Sequence, residues 1–251
     1  MNGLTQLGRY LFAIAIAFFG LQYLTFGHFL GGLPPVPPWA PGGALAAYLT
    51  GILLVAVAIG MAIPKYVRLS AFVLGAFFVL CVLILHTPHL HDIIYEGTDR
   101  TRALEPLALG AAAFILASAF NSGAPVLASQ RTAISVAGRI VFALCLIVFG
   151  WQHFRYVQYL VILVPSWIPW HAFWIYFTGS AFIAVGLAVL SGILERLGLH
   201  LLGLMFALWF VVLHLPRAFA NVHHPDEWTS AFVALAMCGA CWFIAGSPRK
   251  A

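Results

Sequence analysis

Charge is what this sequence lacks. Only 8% of its 251 residues are Asp, Glu, Lys or Arg, and seven are acidic, against 63% hydrophobic residues. The mean hydropathy is +1.00. A chain so composed has too little polar surface to stay soluble as a monomer, so it reads as an integral membrane protein. The formal net charge of +5 is small and dispersed, which excludes nucleic-acid binding and leaves the basic residues to membrane topology. Cysteine is scarce as well: Cys81, Cys145, Cys238 and Cys241 all sit in apolar runs and form no disulfide framework. Cys238 and Cys241 have the Cys-x-x-Cys spacing of redox dithiols. They lie in the last apolar run, where thiolates form poorly, and read as small packing residues. His86, His89, His91 and Asp92 supply enough donors for a metal, but their spacing matches no zinc motif and no metal site is expected. A signal-peptide cleavage site is also missing after the first apolar run, Tyr10 to about Leu30, so that run is expected to stay as a helix.

What the sequence has is eight apolar stretches long enough to cross a bilayer, which takes roughly 20 helical residues. They cover about 8–30, 43–63, 68–87, 103–121, 134–157, 171–192, 196–215 and 228–247. A proline-rich break at 31–43 separates the first two, and Val164 to Pro169 breaks the chain in the corresponding later place. Eight of the twelve basic residues fall on the side of the chain ends: Arg9, Lys65, Arg68, Arg131, Arg139, Arg196, Arg249 and Lys250. The positive-inside rule then predicts an inner-membrane protein with both ends cytoplasmic.

The chain also repeats itself. Leu85-His86-Thr87-Pro88 recurs as Leu213-His214-Leu215-Pro216, Pro37-x-Trp39-x-Pro41 as Pro165-x-Trp167-x-Pro169, and Tyr48-x-Thr50-Gly51 as Tyr176-x-Thr178-Gly179, all at an offset of 128. Several words at one offset indicate duplication. We expect two units, 1–128 and 129–251, each of four spans. The fold predicted is all-α: two tandem four-helix bundles, both pointing the same way and related by a pseudo-twofold along the membrane normal.

The duplication places the polar residues. Arg68 to His86 and Arg196 to His214 are each 18 residues, roughly 27 Å of helix, so both histidines should lie near the outer boundary, with the following proline ending the span. Such residues face protein or water rather than lipid. Each imidazole either satisfies groups of its own repeat or helps to bind a ligand. Gln152, His153 and Arg155 close the fifth span, Gln22 matches Gln152 once a two-residue gap is allowed, and Arg155 calls for a partner such as Asp226 or Glu227. Arg102 and Glu105, three apart at the start of the fourth span, suit a structural pair. Trp39 and Trp167 are either interfacial anchors or parts of a lid. The candidate ligand-binding set is His86, His214, Gln152, His153, Trp39, Trp167, Arg155 and Arg217. No residue is assigned a catalytic role.

The second half, with Gly150-x-Gln152-His153-Phe154, Val164-Pro165-x-Trp167-Ile168-Pro169, Tyr176-x-Thr178-Gly179, Leu213-His214-x-Pro216-Arg217 and Glu227-Trp228-Thr229, resembles the DoxX-like membrane proteins over nearly all of 134–247. The first half is a more diverged copy, with Arg100 in place of Trp228. The resemblance implies four-helix units and a link, through the shared family name, to subunits of thiosulfate:quinone oxidoreductases. It implies no catalytic residue. The expectation is a redox-associated membrane protein that binds a quinone-like or other lipid-soluble ligand at its outer face, quinone being the cofactor this polar set suits and haem or metal not being expected. Its alternative is a non-enzymatic accessory or scaffold subunit packed on partner membrane proteins. A small-solute transporter is the third reading.

Overall fold

A computed structural model describes residues 3–29, 33–34, 36, 43–120 and 128–249, with the backbone alone for residue 90 and residues 128–132. Among these residues every regular element is helical. This is what a membrane imposes on a chain so poor in polar side chains, because helices satisfy their backbone donors and acceptors within one segment. Eight helices are long and apolar enough to span: α1 (Gly3–Phe26), α2 (Gly43–Ala62), α3 (Val67–His89), α4 (Gly97–Ala119), α5 (Ala133–Arg155), α6 (His171–Ser191), α7 (Glu195–Ala220) and α8 (Pro225–Gly246). The protein is a polytopic membrane protein.

Consecutive helices pack against one another from α1 to α8, α8 closes the circuit on α1, and α4 touches α8 across it. Every one of these pairings has a counterpart four helices on. The main partner that α1 finds outside its own half is α8, and α5 likewise leans on α4. The most apolar window of α8 is 78% buried and that of α4 61%, against 22% for α7. The centre is therefore built from the fourth and eighth helices, and α7 lies at the rim facing lipid.

Glycine sets the closest approaches. A Cβ on Gly20 would meet the Gly51 carbonyl oxygen at 2.8 Å, and one on Gly150 would meet that of Gly179 at 2.6 Å. The α1–α2 and α5–α6 crossings are thus fixed by one glycine pair each, since small residues let membrane helices touch backbone to backbone. At the face carrying the chain ends, Arg139 of α5 bonds Glu195 and the Ser247 carbonyl oxygen (2.9 Å), while Arg249 reaches the other Glu195 oxygen at 3.1 Å. Arg196 ties the start of α7 to the Ala245 carbonyl oxygen at 3.1 Å.

Candidate functional site

Both Leu-His-x-Pro words fold into π-helical turns, Val82–His86 and Phe210–His214. Proline has no N–H for the carbonyl four residues back, and its ring crowds that oxygen. Widening the helix by one residue relieves the crowding. The N–H of Thr87 bonds the Val82 oxygen and that of Leu215 bonds the Phe210 oxygen, five residues back in each case. Pro216 does not end its span as expected: Leu215–Ala220 continues as α-helix with Pro216 in its first turn, directly after the π turn that accommodates it. The first half makes a 3-10 turn, Thr87–His89, instead.

Because α7 runs on, its last two turns lie beside the proline–tryptophan loop. Between them is an open groove of about 590 Å³ whose polar lining is Ser166, Trp167, His171, Arg217 and Asn221. Val161, Val164 and Leu213 supply apolar wall. Trp167 is 70% exposed at its edge. Arg217 bonds Glu227 at 2.8 Å, so the groove carries a neutralised ion pair rather than a bare cation. Beneath it Val157, Val164, Ile168 and Ile175 form a small core of their own, packed against Trp174, Trp209 and Val212. Trp174 and Trp209 meet edge to face at 6.1 Å, and Trp174 donates to the Pro169 carbonyl oxygen.

The candidate residues are dispersed. Trp167 and Arg217 share the groove, and His214 follows its lining residue Leu213 without lining it. Gln152 is elsewhere: its amide donates to the Gly97 oxygen and to Thr101 Oγ1, both at 3.0 Å, joining α5 to α4. Gln22 repeats this on the other side, donating to the Pro225 oxygen and accepting from Thr229 Oγ1, both at 3.2 Å. Pro225 and Thr229 stand 128 residues after Gly97 and Thr101. His153 is held by the Phe149 carbonyl oxygen at 2.8 Å, with its ring 5.2 Å from that of Phe182. Arg155 sits over the ring of Tyr156 rather than on an acid; Glu227, offered as its partner, is taken by Arg217. Arg102 likewise pairs with Asp99 at 3.5 Å and not with Glu105. His86 is buried at the end of its π turn, on α3, whose helical neighbours are α2 and α4, whereas α7 packs on α6 and α8. Trp39 lies outside the described residues.

Nothing in the sequence alone marks His171, Asn221 or Trp209 as belonging at or near the groove. Asn221 stands one turn beyond Arg217; His171 and Trp209 are visible only once the loop is placed. Among the described residues no group of three His, Cys, Asp or Glu side chains is arranged to hold a metal ion. No family model, curated protein or solved structure matches this chain.

Proposed function

We propose that this protein binds a lipid-soluble, quinone-like ligand at the outer face of its second half, as a redox-associated membrane component of DoxX-like type. The groove between the proline–tryptophan loop and the last turns of α7 carries this reading. It joins an apolar wall to a few convergent polar groups, the pattern of small-molecule sites, and its lining residues Ile162 and Trp167 are exposed where lipid would stand. Exchange of helix partners between halves, with matched glutamine bonds, supports a pseudo-twofold relating the two repeats. The concentration of basic residues at the face of the chain ends supports an inner-membrane placement with that face cytoplasmic.

The test is direct binding of a short-chain ubiquinone to the protein in lipid nanodiscs. Ala220→Phe fills the groove without removing a polar group; binding should fall at least tenfold while thermal stability holds. Unchanged affinity in that variant, or no binding by the parent protein, rejects the groove. A second reading, an accessory subunit packed on a partner, is favoured by Gln152 and His153 being committed to helix packing. Recovery of a stoichiometric partner in mild detergent, with no quinone bound, would establish it instead.

A further inference from the structure

The groove explains its own lining but not two polar atoms just beneath it. Trp209 Nε1 and His214 Nδ1 are both shielded from solvent and without a hydrogen-bond partner. Leaving a buried polar atom unmatched costs about 1–3 kcal/mol; α7 carries three, His200 Nδ1 near its start and these two at the ends of its π turn, Trp209 just before it and His214 as its last residue. Trp174, against which Trp209 stacks, has its indole N–H satisfied by the loop, so the neighbourhood is able to supply acceptors. The Trp209 indole packs against the small core that contains Val164, and Val164 also lines the groove. Helical register agrees: Trp209 is one turn before Leu213, on the stripe that continues through Pro216, Arg217 and Ala220, all groove residues. His214 borders that stripe.

The donors define what fits. Indole N–H can only donate, and a neutral imidazole can donate from Nδ1; the common complement is an acceptor oxygen. An anion is a poor match, because Arg217 is neutralised by Glu227 and a charge carried below the groove would be desolvated without a counter-ion. The apolar cluster around Trp209 suits a flat ring. We infer that Trp209 and His214 form the inner end of the site, taking an uncharged carbonyl oxygen of a ring-bearing lipid-soluble ligand between them, with the groove above holding the rest of the molecule. This rests on the groove reading and specifies the chemical class it accepts.

The experiment uses the full chain in lipid nanodiscs with 2-methyl-1,4-naphthoquinone as the probe and decanoate as an anionic control. Trp209→Phe keeps the ring and removes the donor; His214→Leu removes the other donor, and His214→Gln retains one. Affinity should fall roughly three- to tenfold in each of the first two and stay within about threefold of the parent in His214→Gln. The infrared carbonyl stretch of the bound probe should be shifted to lower frequency in the parent protein and lose that shift in Trp209→Phe, a change that loosened packing would not produce. Parent-like affinity and carbonyl stretch in Trp209→Phe and His214→Leu, while Ala220→Phe abolishes binding, overturns this inference and leaves the groove standing. Equal competition by decanoate also overturns it. A probe that does not bind the parent protein removes both readings together.

Discussion

The two halves share their joints and differ at their ends. Gln22 and Gln152 bond the same two places on the fourth helix of the opposite half, each donating to a carbonyl oxygen, with Gln152 donating to its threonine hydroxyl and Gln22 accepting from its own, and Gly20 with Gly51 sits at one crossing as Gly150 with Gly179 sits at the other. Even a substitution preserves a joint. Arg100 donates to the Ile94 carbonyl oxygen, and Trp228, in the matching place, donates to the Val222 oxygen at 3.2 Å. At the face of the chain ends the halves part company: Arg139 and Arg249 converge on Glu195, whereas position 67, its counterpart, is valine and Arg9 lies against the rings of Tyr10 and Phe120. At the opposite face, Arg217 holds Glu227, while in the matching places His89 is near Asp92 at 3.6 Å and Asp99 meets Arg102. Packing is what the two halves have in common. The polar chemistry is what separates one half from the other, and it is concentrated in the second.

Four sets of variants would break or sharpen that contrast, each followed by reversible unfolding in mixed detergent micelles. Glu195→Ala should be the most damaging, by about 3–5 kcal/mol, because it strands the buried Arg139 charge; Val67→Ala, at the equivalent place, should cost less than half as much. Equal losses would mean that the lock is no special property of the second half. Gly20→Ala and Gly150→Ala should each cost about 1–3 kcal/mol, since the added Cβ meets backbone that has no room to give. A gap between them larger than about 1 kcal/mol would show that the crossings are not equivalent. Gln22→Leu and Gln152→Leu should lose about 1 kcal/mol apiece, as interhelical bonds in membranes are modest, and the double variant should lose the sum because the two clasps share no residue. The smallest effect is expected for Arg100→Trp, within about 0.5 kcal/mol of the parent, while Arg100→Ala should cost about 1 kcal/mol; a large loss in Arg100→Trp would deny that the two side chains do one job.

The all-helical membrane class was legible because it rests on a strong signal, the length of the apolar runs. Helix bounds were less so. The first span begins at Gly3, not near residue 8, because Arg9 is covered by aromatic rings and does not need to reach the surface. Pro216 read as a stop, since a proline's local effect is to break a helix; only in three dimensions does a π turn absorb it. Gln152 looked like part of a ligand set because a polar side chain in a span is costly wherever it sits, and the sequence does not say that its partners are Gly97 and Thr101, more than fifty residues away. Trp209 was hidden among apolar neighbours. Nothing in a string of letters distinguishes an indole with a matched N–H, such as that of Trp174, from one without.

The exchange of partners between halves sets the order in which the protein can be assembled. Helix α1 is made before the other seven helices, and its main contact outside its own half, α8, is made after them. At about 5–20 residues per second, the 198 residues between Phe26 and Pro225 take on the order of 10–40 s. Throughout that interval α1 stands in the bilayer with the surface meant for α8 covered by lipid or by a chaperone, while α5 finds α4 already in place. Biogenesis is therefore asymmetric even where the joints are not: the second half docks as it is made, and the first half is finished only when the last helix arrives.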